Sequence, residues 1–242
     1  MGAIATSAPT IRIVPPAAGG PLDEALARLG EYDWVIVTSA NGARACLSRA
    51  QALGIDLAAA GVRWAAIGPA TAQALRRAGI TTSMTPARFL TAAIVEEFRV
   101  APGDRLLLPR TDAAPPGLAE ALRAGGGIVD EIPAYRTEIA PARSRDRIRR
   151  LVGGRLVDVV VVTSASTVHG LVRLLDGMTE ALRHVEIACI GPVTAAAVTE
   201  QGLSPSVVAD PHTIDGLVTA MVTRYAARVN RGVHHAGDRR TQ

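Results

Sequence analysis

The sequence contains no lysine: all 26 basic residues are arginine. That excludes chemistry built on a lysine amine, including Schiff-base catalysis, pyridoxal phosphate anchoring and the phosphate loop closing on Lys-Ser or Lys-Thr. Cysteine is scarce. Cys46 and Cys189 lie far apart and outside any CxxC, which argues against a zinc ribbon, an iron–sulfur cluster and a disulfide framework. Aromatic residues are only 3% of the chain, so the core falls to Ala, Val, Leu and Ile. Long apolar runs are missing as well. Val159–Val162 is the most apolar stretch, far short of the roughly 20 residues of a membrane helix. The opening MGAIATSAPTIRIVPP lacks the basic leader and apolar run of a signal peptide. A reduced, cytoplasmic protein without a membrane partner is expected.

Conventional catalytic sets are also lacking: there is no GxSxG, HExxH or DxDxDG. His169 and His212 follow expected strand ends without histidine counterparts, and His234 and His235 sit in the tail, so no metal site is expected. The basic pI of about 9.8 is misleading. Residues 224–242 hold five Arg and one Asp and carry the whole net charge of +4, which leaves a neutral body. A second cluster, Arg143, Arg145, Arg147, Arg149, Arg150 and Arg155, reads as solvated surface. No interleaved aromatics accompany either cluster, so no nucleic-acid partner is expected.

What is present is a repeat. Asp33-Trp-Val-Ile-Val-Thr-Ser-Ala40 returns 125 residues later as Asp158-Val-Val-Val-Val-Thr-Ser-Ala165. Ile67-Gly-Pro-Ala-Thr-Ala72 returns 123 residues later as Ile190-Gly-Pro-Val-Thr-Ala195. Gly2–Pro9 loosely matches Gly126–Pro133. The period is domain-sized. Within each copy, short β-branched runs (33–37 and 158–162; 64–67 and 186–190) alternate with helices expected at 43–53, 168–175, 70–78 and 193–201. This predicts α/β domains with parallel sheet. A further unit lies between the copies: a strand at 105–108, a helix at 116–124 and a strand at 128–132. The alternating, Pro-terminated segments 11–16 and 135–141 read as linkers.

Ligands of parallel α/β sheets sit at the carboxyl ends of strands. Thr38, Ser39 and Asn41 fall there, as do Gly68 and Thr71, Ser164 and Ser166, and Gly191 and Thr194. Hydroxyls and free helix-N-terminal amides hold carboxylate or phosphate without lysine; plain helix capping is the alternative. Arg110, directly after a strand, is expected to hold a carboxylate or to form a surface ion pair. Tyr135 is expected either to pack between domains or to offer a hydroxyll proton donor.

Taken in order, Asp33–Ala43 (DWVIVTSANGA), Ala66–Gly79 (AIGPATAQALRRAG), Leu106–Arg110 (LLLPR), Ile132–Thr137 (IPAYRT), Val159–Ser164 (VVVVTS) and Ala188–Gly202 (ACIGPVTAAAVTEQG) resemble uroporphyrinogen-III synthase, from about Gly2 to Tyr225. The resemblance implies two flavodoxin-like parallel-sheet domains joined by a two-stranded linker and intertwined by chain threading. Residues 1–10 and 142–226 would form the first and 17–134 the second, with a disordered basic tail at 227–242. It implies a cleft enzyme, a monomer without metal or organic cofactor. The substrate would be hydroxymethylbilane, a linear tetrapyrrole with eight carboxylates, closed with loss of water and inversion of the terminal ring through a spiro intermediate. Tyr135 matches a tyrosine proposed to assist water loss. Ser39, Asn41, Thr71, Ser164 and Thr194 match cleft-lining positions. A non-catalytic ligand-binding or regulatory homologue is the alternative.

The family opens with a strand and helix ahead of the Gly-Ala, and the counterpart of Arg105–Gly125 is missing before Gly2. The first domain is therefore expected to lack its first strand and helix; a start recorded downstream of the true one is the favoured explanation, against a genuine short form that fills the gap by dimerisation or another segment, or a decayed homologue without activity. Ile4–Ala8 would have no neighbour, and Val159–Val162 would show a bare edge.

Overall fold

The runs after Asp33 and Asp158 both fold as parallel strands, but in different surroundings. The structure is a computed structural model describing residues 3–86 and 97–237, with side chains described to residue 226. The chain divides into two units, Ile13–Thr137 and Met1–Arg12 with Glu138–Gln242.

The central unit runs β1 (Ile11–Val14), α1 (Pro21–Ala27), β2 (Trp34–Val37), α2 (Ala40–Leu53), β3 (Arg63–Ala66), α3 (Pro69–Arg76), β4 (Arg105–Thr111), α4 (Gly117–Ala124) and β5 (Ile128–Ile139). Its sheet has the order β1-β5-β4-β2-β3. β2 pairs in parallel with β3 and β4, and β4 with β5. Parallel neighbours need helical crossovers, which bury both faces. Leu107 joins the core under α1, α2 and α3, while Leu106 and Leu108 point into the layer closed by Leu118 and Leu122 of α4. Each such leucine contributes about 1.5–3 kcal/mol by burial.

β4 runs three residues past the expected end at Leu108, through Pro109. Its pairing with β2 stops at Leu107. Arg105 faces β2, accepting from the Asp33 amide, and alternation turns Pro109 the same way. Its missing N–H therefore falls where no β2 residue needs it. β5 is likewise one 12-residue strand, taking in most of the expected 135–141 linker.

The other unit holds α5 (Arg145–Gly153), β6 (Val159–Val162), α6 (Ala165–Leu175), β7 (Glu186–Cys189), α7 (Pro192–Glu200), β8 (Val207–Val208) and α8 (Ile214–Gly237). Its sheet is β6-β7-β8, all parallel. α5 buries Ile148 and Val152, four residues apart, and leaves Arg145, Arg147 and Arg150 exposed. The repeat is visible even in irregular backbone. The Ser206 amide donates to the Ile187 carbonyl at 2.7 Å, as Ser83 donates to Trp64 at 2.8 Å in the other copy.

Two expected segments are placed here. α8 runs into the expected basic tail as far as Gly237, and residues 238–242 lie outside the described part. Residues 3–9 form no strand, and Ile4 is 93% exposed. Among the described residues, no strand pairs with the free side of β6.

Candidate functional site

The strand ends of the central unit converge on one hydroxyl pair. β2 ends at Val37, and Ser39 takes an extended conformation as the N-cap of α2. Its Oγ accepts the Gly42 amide at 3.0 Å. A serine cap satisfies one of the amides a helix start leaves open. Gly42 fits closely there: a Cβ would stand 3.1 Å from the Pro109 carbonyl oxygen of β4, a tight contact that a side chain would relieve only by a small shift. On the opposite side Ser39 Oγ lies 3.1 Å from Tyr135 Oη. β5 places Tyr135 in register with Thr111 of β4, half-buried against the core beneath α2. The ring packs against the core of its own unit, and the hydroxyl lies in a polar pair at the sheet's carboxyl end.

The other expected residues of this unit are placed differently. Thr38 is half-buried just after β2, and Asn41 Oδ1 accepts from Arg44 at 3.0 Å. Gly68 caps α3 without a side-chain bond, and Pro69 opens the helix. Thr71 is 4% exposed, and among the described residues its hydroxyl has no hydrogen-bond partner. Arg110 departs most from expectation. It is neither on the surface nor available as a free carboxylate fork. Only 5% exposed, it uses one NH1 nitrogen for both the Pro115 carbonyl and Glu131, each at 2.9 Å. The reason is register: Glu131 of β5 pairs with Leu108 of β4, two residues before Arg110, so the two side chains share a face and meet diagonally across the ladder. Its buried Nε has no partner. Thr111, Asp112, Ala114 and Pro116, with residues 131–133, line an adjoining cavity of about 260 Å³.

In the other unit Ser164 caps α6 through a reciprocal box. Its Oγ accepts the Thr167 amide at 3.2 Å, and its own amide donates to Thr167 Oγ1 at 3.1 Å. Ser166 is half-buried in the first turn. Gly191 caps α7, and Thr194 in its first turn is 3% exposed with a hydroxyl that, among the described residues, is unpartnered. The sequence reading set His212 aside. Its ring covers Gly191, 3.2 Å from where a Cβ would stand, while Nδ1 lies 2.7 Å from the Ala209 carbonyl oxygen. The signal was present, a histidine after a strand end, but the packing partner is 21 residues away in sequence.

Burial pushes the Cys46 thiol up to about 12 and the Cys189 thiol up to about 11, so neither is a nucleophile at neutral pH. Among the described residues, no group of three His, Cys, Asp or Glu side chains is placed to hold a metal, and no helix is long and apolar enough to cross a membrane.

Such a protein belongs to a defined class: a two-unit α/β protein with parallel-rich sheets of five and three strands. Solved uroporphyrinogen III synthases share that fold. One from Thermus thermophilus matches with a TM-score of 0.64 at 21% identity, covering 91% of this chain and 88% of that one. One from Helicobacter pylori matches with 0.60 at 16%, covering 88% and 90%. The sequence model of the uroporphyrinogen-III synthase HemD family matches residues 1–219. A uroporphyrinogen-III synthase of Synechococcus elongatus is 32% identical over 227 residues, 91% of this chain and 86% of that protein. A porphyrin biosynthesis protein HemD of Ruminiclostridium josui is 29% identical, covering 92% of this chain and 44% of that protein. The chain belongs to the uroporphyrinogen-III synthase family, whose activity, EC 4.2.1.75, serves tetrapyrrole biosynthesis.

Proposed function

We propose that the chain closes hydroxymethylbilane to uroporphyrinogen III with Tyr135 as the proton donor for water loss. The observation that carries this is the Ser39–Tyr135 hydroxyl pair at 3.1 Å. Expulsion of the substrate's hydroxyl leaves the carbon electron-poor, and the adjacent pyrrole nitrogen supplies the electrons. The departing oxygen needs one proton to leave as water. Ser39 Oγ already accepts the Gly42 amide; in the arrangement proposed, its single proton turns to Tyr135 Oη, although either hydroxyl can donate in this pair. That leaves the tyrosine's own proton to point at the departing group. Negative charge growing on the phenol oxygen is met by the Ser39 hydroxyl and by the positive end of α2.

The unpartnered hydroxyls of Thr71 and Thr194, and the first-turn amides around them, suit the substrate's carboxylates. Thr38, Asn41, Ser166 and the backbone at Gly68 and Gly191 complete these strand-end sets. Arg110 is assigned a supporting role, holding the 111–116 loop through Pro115. After water loss the shape of the bound chain selects the carbon that attacks, so holding the pyrroles in one fold is as important as the proton. Each unit is read as one flavodoxin-like plan, and the free, buried Cys46 and Cys189 suit a cytoplasmic setting.

The test is the isomer ratio formed from fresh hydroxymethylbilane. Wild type is expected to give type III above the spontaneous type I background. Tyr135→Phe is expected to lower the type III rate about 100-fold, the low end for a lost general acid, with substrate affinity unchanged. Type I alone from the wild-type chain would favour the non-catalytic ligand-binding reading. A full rate in Tyr135→Phe would remove the tyrosine from the chemistry.

A further inference from the structure

Where β7 ends and the loop after β8 passes it, several polar atoms are left unused by the fold. α7 opens at Gly191 and Pro192 with no side-chain cap. Among the described residues, the amides of Val193 and Thr194 have no acceptor, and the Thr194 hydroxyl has no partner. The first amide satisfied there is that of Ala195, which donates to the Gly191 carbonyl at 3.0 Å. Beside this start stands His212, an exposed residue. The Cγ–Nδ1 edge of its ring lies over Gly191, with Nδ1 3.4 Å from where a Cβ would stand. The ring is held in place. Its Nδ1 lies 2.7 Å from the Ala209 carbonyl oxygen, and the Ala209 amide donates to the Cys189 carbonyl of β7 at 2.9 Å. The loop is braced from behind as well. The Thr213 amide donates to the Pro211 carbonyl at 2.8 Å, and a Cβ on Gly216 of α8 would overlap that same carbonyl. A carbonyl oxygen only accepts, so Nδ1 carries the ring's proton. In the neutral imidazole Nε2 is then a bare acceptor. It sits on the ring edge turned away from Gly191 and has no partner among the described residues.

We infer that His212 is a substrate-binding residue, its Nε2 accepting a pyrrole N–H while the start of α7 holds a carboxylate of the same pyrrole. The role rests on the substrate proposed above. A linear tetrapyrrole carries both groups on every ring, an N–H on one edge and carboxylate side chains on the other. The two halves of the site meet them in opposite senses: the α7 amides and the Thr194 hydroxyl donate, and Nε2 accepts. Charge separates the halves further. Asp210, two residues before His212, and Asp215, in the first turn of α8, are both exposed. Negative charge beside the imidazole favours an N–H there over a second carboxylate. A pyrrole held at both edges cannot turn about its bridging carbons. That turning is the freedom which decides between direct and inverted attack.

Asparagine and glutamine divide the imidazole between them. His212→Asn keeps a donor for Ala209 and removes the far acceptor. It is expected to raise the KM for hydroxymethylbilane about tenfold, close to the worth of one hydrogen bond, with kcat and the urea midpoint unchanged. His212→Gln puts an acceptor near the place of Nε2 without the Ala209 bond. It is expected to lower the midpoint and to keep KM close to wild type. Uroporphyrinogen III, which retains the pyrrole N–H groups and the carboxylates, probes binding apart from turnover. Added to the wild-type chain, it is expected to move the nitrogen resonance of His212 Nε2 in NMR. If wild type makes no type III yet uroporphyrinogen III moves that resonance, the proposed activity falls and the role of His212 stands. If type III forms but the resonance stays still, or His212→Asn keeps the wild-type KM, the role falls and the activity stands. A KM raised equally by both variants would make the ring a prop for the loop and would also overturn the role. Neither type III nor any movement of the resonance would overturn both.

Discussion

Ile36 and Val161 stand 125 residues apart at matching places in two copies of one strand. One has no exposed surface and the other is nearly half exposed. The strands themselves are close in sequence, WVIV and VVVV. What differs is the neighbour, so a strand's burial here belongs to its slot and not to its own residues. The clearest way to break this comparison is truncation of both. Ile36→Ala is expected to cost about 3 kcal/mol, within the range for a closed core. Val161→Ala is expected to stay within about 0.5 kcal/mol, as surface substitutions do. Urea denaturation checks both, and equal losses would mean the β6 edge is covered in solution.

A second contrast lies one helix further on. Gly170 of α6 packs against the backbone of Thr10, and a Cβ there would overlap the Thr10 carbonyl oxygen. Thr10 Oγ1 also donates to the Thr167 carbonyl at 2.9 Å. The counterpart position holds Ala45, buried in the core with its methyl in place. Gly170→Ala is expected to cost about 2 kcal/mol through forced backbone movement. Ala45→Gly is expected to cost about 1 kcal/mol through helix propensity. If Gly170→Ala instead stabilised α6, as alanine does in an open helix, the contact with Thr10 would be absent in solution.

The serine caps separate structural from chemical roles. Ser39→Ala and Ser164→Ala each remove an N-cap and are each expected to cost about 1 kcal/mol of stability. Only Ser39 touches Tyr135. Ser39→Ala is expected to lower type III formation about tenfold, close to the worth of one hydrogen bond. In a double-mutant cycle with Tyr135→Phe that loss is expected to be non-additive, while Ser164→Ala is expected to add. Additivity in both cycles would leave Ser39 a cap and nothing more.

These pairs also mark what the sequence made legible. Ser39 and Ser164 were readable as caps because capping is local: a hydroxyl, three residues and an amide. The helix starts were nonetheless placed three residues late, at 43 and 168, because Ala-Asn-Gly and Ala-Ser-Thr look like loop until the cap is recognised. The free side of β6 among the described residues was readable because the other copy shows a strand, β4, at the matching place. The Ser39–Tyr135 pair was not readable, since it depends on the register of β5 against β4, set 96 residues away. Arg110 fails for the same reason: nothing local distinguishes an arginine after a strand from one sealed by Glu131 across the ladder.

The smallest expected effect concerns α1 against α2 and α5 against α6. In the central unit Asp23 of α1 holds Arg49 of α2 through two bonds of 2.7 and 2.5 Å, and Asp23 also accepts the Gly19 amide at 2.7 Å. The counterparts are Ile148 and Leu174, both buried in one apolar cluster. One copy thus joins its helix pair by charge and the other by oil. The bond from Arg49, with that from Gly19, holds the Asp23 carboxyl down at about 2, below its ordinary 3.8. A lowered carboxylate stabilises the fold fully above the unfolded value and loses that contribution as pH falls toward the folded one. The central unit should therefore weaken between about pH 4 and pH 2 at this point, while the Ile148–Leu174 pair should not respond to pH. Asp23→Asn is expected to flatten the acid limb of the stability curve across that window. Asp23→Ile with Arg49→Leu, which copies the other repeat, is expected to flatten it equally and to keep the pH 7 midpoint, because a packed apolar pair replaces a buried ion pair at little cost. If the double variant lost stability at pH 7 while Asp23→Asn left the acid limb unchanged, the charge would be serving as packing shape, and the two repeats would differ in volume instead of electrostatics.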